Sequence, residues 1–167
     1  MPVYLLAFNY WLHLLATVVW VGGLVLMVLV VSPGLARVLG EDASRSDVLT
    51  ELRRRFTPLA NLSLVVLVVT GMLQMVSDGH YDGLLRLSNG WTRAMLFKHL
   101  SVGGMVVVGA IMQWQLAPAI ERARLLASRQ PGQGDLTALR TRERQLSRLD
   151  LALGILVLLF TALATAL

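Results

Sequence analysis

The chain alternates four long apolar blocks with polar connections, and block length decides how each is read. The blocks cover residues 3–31, 59–76, 91–117 and 149–167. A helix rises 1.5 Å per residue, so about 20 apolar residues cross the ~30 Å hydrocarbon core of a bilayer. The pattern therefore predicts an all-α fold, an integral membrane four-helix bundle forming one membrane domain over residues 1–167. Ser32, Pro33 and Gly34 mark where the first helix is expected to end or bend, because proline lacks an amide hydrogen and crowds the carbonyl four residues back. A polar loop is expected from residue 37 to 55. Ser77, Asp78 and Gly79 close the second helix, and Ser88, Asn89 and Gly90 form a capping region before the third. Pro118 need not terminate the third helix. Residues 128–134 are rich in Gln and Gly, whereas residues 136–149 mix charge with recurring Leu. The fourth helix is thus expected to start as an amphipathic cytoplasmic extension.

The basic residues supply an orientation. Arg37, Arg45, Arg53, Arg54 and Arg55 lie in the first connection, and Arg122, Arg124, Arg129, Arg140, Arg142, Arg144 and Arg148 in the third. The second connection carries Arg86, with Arg93 just beyond it, and nothing basic precedes the first block. Lys and Arg resist translocation, so connections one and three are expected on the cytoplasmic side of the inner membrane, with both termini outside. The net charge of +5 is accounted for by this asymmetry, and no nucleic-acid surface is implied. The first block is too long for a signal-peptide core and is expected to remain as a span. A mean hydropathy of +0.66 agrees with a bilayer environment. The chain has no cysteine, which excludes disulfides, thiolate metal sites and iron–sulfur ligation.

Ionisable side chains within a span cost roughly 2.5–3.5 kcal/mol each on insertion scales, so each calls for a reason. Three stand out: His13, Lys98 and His99. Counting from expected helix starts, His13 lies about 15 Å into the first helix and His99 about 12 Å into the third. Two imidazoles at one depth are what a b-type haem with two axial ligands requires. Ala16, Thr17 and Gly103 leave room beside them, Trp20 is placed to line the pocket, and Asn9, Tyr10, Arg86, Arg93 and Lys98 are available to propionates. The plainer reading is a membrane histidine that hydrogen-bonds across helices. Gly22, Gly23, Gly71, Gly103 and Gly104 are packing contacts on that reading, and Trp11, Trp20, Trp91 and Trp114 are anchors or core. A competing set, Met72, Met75, His80 and Met95, offers thioether and imidazole donors suited to Cu(I). No Ser/His/Asp grouping, phosphate loop or paired membrane carboxylate points to hydrolysis.

Several segments together resemble the copper-resistance CopD family. Trp11, Leu12 and His13, followed by Val19 to Gly23, look like that family's opening helix. Arg54, Arg55, Phe56 and Thr57, leading to Thr70 and Gly71, are similar to its Arg-Phe entry and Thr-Gly exit, and Lys98 with Pro118 fits the third span. A more distant similarity, an early membrane His with a Trp and a later Lys, is to HemJ-type protoporphyrinogen oxidases. The CopD resemblance implies that His13 is a haem or metal ligand and that Arg55 and Lys98 are functional polar positions. Adjacent helical residues point about 100° apart, so Lys98 and His99 cannot both face one partner. The expected function is a haem-b redox protein with His13 and His99 as ligands. The alternatives are a copper transport or delivery protein and a non-catalytic membrane subunit whose Leu-rich helix docks a partner. Expected partners are the lipid bilayer, a quinone-like or other electron donor or acceptor, and further copies or subunits in a larger membrane complex.

Overall fold

The computed structural model describes residues 2–40, 43–78, 90–129 and 136–167. Among these only Pro2, Gly40, Asp78 and Leu167 lie outside a helix. Four helices result: α1 (Val3–Leu39), α2 (Ala43–Ser77), α3 (residues 90–129) and α4 (Leu136–Ala166). Each contains a stretch long and apolar enough to cross a membrane, and no strand occurs among the described residues. The all-α membrane fold expected from the blocks is thus present, including the early start of α4 at Leu136.

The helices run past the ends expected for them. The first does not stop at Pro33 but continues to Leu39, ending where Gly40 takes φ 60°, a conformation that a residue without Cβ adopts at no steric cost. The way past the proline is visible one residue earlier. The Ser32 amide reaches back five residues to the Met27 carbonyl, closing a π-helical turn over Met27–Val31. In α3 the Ala117 amide does the same to the Met112 carbonyl, immediately before Pro118. A wide turn is one way a helix accommodates a following proline, and it is not the only one in this chain, since Pro58 lies inside the uninterrupted α-helical run of α2. The expected polar loop is also largely helical. Residues 43–55 belong to α2, whose exposed Glu51 and Arg55 pair at 2.7 Å one turn apart.

The chain divides into two compact units, Met1–Leu85 and Arg86–Leu167. In the first, α1 and α2 run antiparallel. His13 meets Thr70 and Gly71 toward one end, and Gly23 receives the Phe56 ring toward the other. In the second, α3 and α4 pack antiparallel in regular register. Gly90 meets Leu167, Phe97 stacks on Phe160 with centroids 5.5 Å apart, and Gly104 meets Leu153. Each step of seven residues along α3 answers a step of seven back along α4, the repeat that keeps one helix seam on its neighbour. Small residues at Gly90 and Gly104 let Leu153 of α4 and Leu167 just beyond it seat against the α3 backbone, as expected where lipid offers no hydrophobic drive for helices to associate.

Candidate functional site

Within the first unit the polar side chains of α1 and α2 converge. Asn9 and Thr70 are only 7% and 4% exposed, although the helices around them are apolar. Asn9 Nδ2 donates to the Thr70 carbonyl at 3.2 Å. The Thr70 hydroxyl stands 2.6 Å from the Val66 carbonyl, which can only accept, so its single hydrogen is spent there. His13 Nδ1 lies 2.8 Å from the same hydroxyl oxygen. That oxygen must therefore accept, and the network assigns the proton of a neutral His13 ring to Nδ1, with the lone pair on Nε2. An imidazole whose Nδ1–H is held by a neighbouring oxygen is the form in which histidine ligates metals. Thr17 Oγ1 donates to the His13 carbonyl at 2.8 Å, completing a polar thread along this face of α1.

Gly71 explains how the ring approaches so closely. A Cβ at this position would stand 3.3 Å from His13 Cε1, tighter than ordinary contact. The paired residues Thr70 and Gly71 thus act together, one accepting from the ring and the other leaving room for it. One turn further along α2, the Gln74 side-chain nitrogen is buried and makes no hydrogen bond among the described residues. Met75, on the Gly71 side of α2, is 6% exposed, whereas Met72 is 60% exposed. At the opposite end of the helix pair, a Cβ on Gly23 would overlap the Phe56 ring. The short motifs that carried the family resemblance on α1 and α2 are therefore partners: His13 with Thr70 and Gly71, and Gly23 with Phe56.

The second unit holds His99 and Lys98. The buried residues of α3 include Ala94, Ser101, Met105 and Val108. Lys98 lies on the same side as Ala94, Ser101 and Met105 and is half-buried, while His99 is turned away from it and exposed. His99 Nδ1 donates to the Met95 carbonyl at 2.7 Å, which again leaves the lone pair of a neutral ring on Nε2. His99 borders an open, almost wholly apolar groove of about 630 Å³ between α3 and α4, walled by Leu96, Leu100, Val107 and Leu153. A Cβ at Gly103, also on the groove, would meet nothing within 4 Å.

The remaining expected residues fall on both units. Trp20 is half-buried on α1, Tyr10 and Arg93 are exposed, and Arg55 is at the surface with Glu51. Of the expected copper set, Met72 and Met75 lie on α2 and Met95 is half-buried on α3, while His80 falls outside the described residues, as does Arg86. No cluster of three or more His, Cys, Asp or Glu side chains suited to a metal occurs among the described residues. Two groups carry no signal in the sequence pattern. Gln74 is neutral and draws no attention until α1 and α2 are placed in register, and only that register shows what Thr70 of the Thr-Gly motif does for His13. Asp150 sits two residues into the last apolar block and reads as part of its charged flank.

No curated protein and no solved structure matches the chain. The family model for Copper resistance protein D, CopD, matches residues 50–164, more than two-thirds of the chain. The match takes in Phe56, Thr70, Gly71, Lys98 and Asp150, and begins after the helix that carries His13 and Gly23. With four helices able to span a bilayer and this match across three of them, the chain is a multi-pass membrane protein of the copper-resistance CopD family.

Proposed function

We propose that this chain handles copper within the membrane, binding it for transport or delivery through the α1–α2 pair. The observation that carries the reading is the His13 imidazole, fixed through Nδ1 by the Thr70 hydroxyl at 2.8 Å and set among apolar helices. Cu(I) favours imidazole and thioether donors, and Met75 is the methionine that helical register puts on the His13-facing side of α2. Buried Asn9 and half-buried Gln74 add neutral dipoles on the same helix pair, which suit a monovalent cation better than apolar walls do. Copper is cargo on this reading. Both termini face away from the cytoplasm of the inner membrane, following the arginine asymmetry.

The test is copper content after loading the purified protein with Cu(I) under reducing conditions. Wild type retains stoichiometric copper, His13→Ala and Met75→Leu lose it, and Met72→Leu keeps it. Wild-type protein that retains no copper, or His13→Ala that retains as much, overturns the reading.

A second reading is a haem-b electron-transfer protein with His13 and His99 as the ligands expected from the sequence, and the groove beside His99 is what supports it within the second unit. Its volume falls in the range of small-molecule sites, and Gly103 adds open space next to an imidazole whose Nδ1 is already held. Haem would supply one-electron chemistry, and a quinone-like molecule would be a fitting donor or acceptor. The visible spectrum separates the two readings. A Soret band lost in both His13→Ala and His99→Ala favours haem, and a colourless preparation from haem-replete cells removes it.

A further inference from the structure

Asp150 takes no part in either reading. Asp150 lies on α4 between Ser147, Gly154 and Val157, the buried positions that form the inner stripe of that helix. Its Oδ1 is sealed from solvent and has no hydrogen-bond partner among the described residues. The α3–α4 register sharpens its isolation. Leu153 seats on Gly104, so Asp150, one turn earlier, comes level with Val107 and Val108. Residues 100–120 of α3, the only described helix of this unit packed against α4, contain no ionisable side chain. Lys98 and His99 lie beyond one end of that stretch, and Glu121, Arg122 and Arg124 beyond the other. On α4 itself Glu143, Arg144 and Arg148 precede Asp150, with Arg148 about 200° round the helix, and no ionisable side chain follows it to Leu167.

A half-buried carboxylate on the inner stripe of an apolar helix, with one oxygen sealed and unsatisfied among the described residues, is costly as an anion. Adding a proton removes the charge. Asp150 stands at the end of the apolar run that adjoins the basic segment of α4, so water at that surface is a proton source and sink within a short distance. Ionisable residues retained in membrane helices commonly mark proton or ion paths.

We propose that Asp150 is a proton-exchanging carboxyl of the membrane-spanning region, and that copper passage through this chain is coupled to its protonation. The coupling rests on the copper reading above, whereas the exchanging carboxyl stands without it. The step balances simply: the carboxylate takes one proton from water to become the acid and returns it later in the cycle, with no oxidant or reductant.

Dicyclohexylcarbodiimide, which reacts with protonated carboxyls in apolar surroundings, tests the group in the intact protein. Peptide mass mapping should find the adduct on the segment containing Asp150, with yield falling at least tenfold as pH is raised. Asp150→Asn should abolish it, and Asp150→Glu should restore it if the helix pair needs an acid there to fold. No adduct at residue 150, or a yield indifferent to pH, overturns the proposal. Coupling is read in proteoliposomes loaded with Cu(I) and carrying a pH dye inside. Wild type moves copper with a matching pH change, and Asp150→Asn cuts that change at least tenfold. Copper movement without a pH change, or an unaltered change in Asp150→Asn, overturns the coupling. Labelling at Asp150 in a protein that neither binds nor moves copper would instead overturn the copper reading and leave the carboxyl standing.

Discussion

Alanine at three glycines should produce three different outcomes, because the space at each is different. At Gly103 a new Cβ meets nothing within 4 Å, so the change acts through the backbone alone. Replacing Gly by Ala in a helix interior is worth up to about 1 kcal/mol, and Gly103→Ala should be slightly more stable than wild type. At Gly71 the Cβ comes 3.3 Å from His13 Cε1, and the ring must yield by a few tenths of an ångström. The backbone gain and packing cost nearly cancel there, yet the shift strains the His13–Thr70 hydrogen bond. At Gly23 the Cβ overlaps the Phe56 ring, which must swing out of the seam. Overpacking of this kind costs about 1–3 kcal/mol, leaving a net loss of up to about 2 kcal/mol after a backbone gain of about 1 kcal/mol. For a chain of this size each kcal/mol moves the midpoint by about 2–4 °C. Scanning fluorimetry in one detergent should therefore rank the melting midpoints as Gly103→Ala, then Gly71→Ala, then Gly23→Ala, with Gly71→Ala also weakened in copper retention. Gly23→Ala melting with wild type would refute the α1–α2 packing, and Gly103→Ala melting below it the open space at Gly103 on α3.

Thr70→Val preserves shape but takes the acceptor from His13 Nδ1–H. It should cost about 1–2 kcal/mol in thermal unfolding and, as loss of a ligand's supporting hydrogen bond, weaken Cu(I) retention by about 10–100-fold in chelator competition. Arg55→Ala removes one side of an exposed ion pair, so its melting midpoint and copper content should match wild type within error. Phe56→Ala empties the space over Gly23 and should lower the midpoint, and adding Gly23→Ala should cost less in that background than in wild type, a coupling that a double-mutant cycle measures directly.

The four spans were legible because a bilayer demands about 20 apolar residues in a row, and blocks of that kind stand out however the helices later pack. Their ends were not. Pro33 reads as a stop under the ordinary rule, and the wide turn that carries α1 past it depends on a backbone bond, Ser32 to Met27, with no sequence signature. His13 was visible as a charge-capable side chain in a span, and Thr70 with Gly71 as a short motif. That the two are one arrangement is a fact of register between residues 57 positions apart. His99 shows the converse. Its depth could be counted, but its direction depends on which side of α3 is buried, and Ala94, Ser101 and Met105 put that side next to Lys98 instead. Asp150 was hidden by its neighbours, since a carboxylate two residues into an apolar block resembles the end of the charged segment before it.

The central claim, that Thr70 holds the His13 ring so that Nε2 receives copper, is open to direct measurement by ¹⁵N NMR of histidine-labelled protein in detergent or lipid. The account predicts that His13 is protonated at Nδ1 before copper is added, that its Nε2 resonance alone shifts strongly with Cu(I), and that Thr70→Val abolishes the tautomer preference. A His13 ring protonated at Nε2, or resonances that ignore Cu(I), would contradict it.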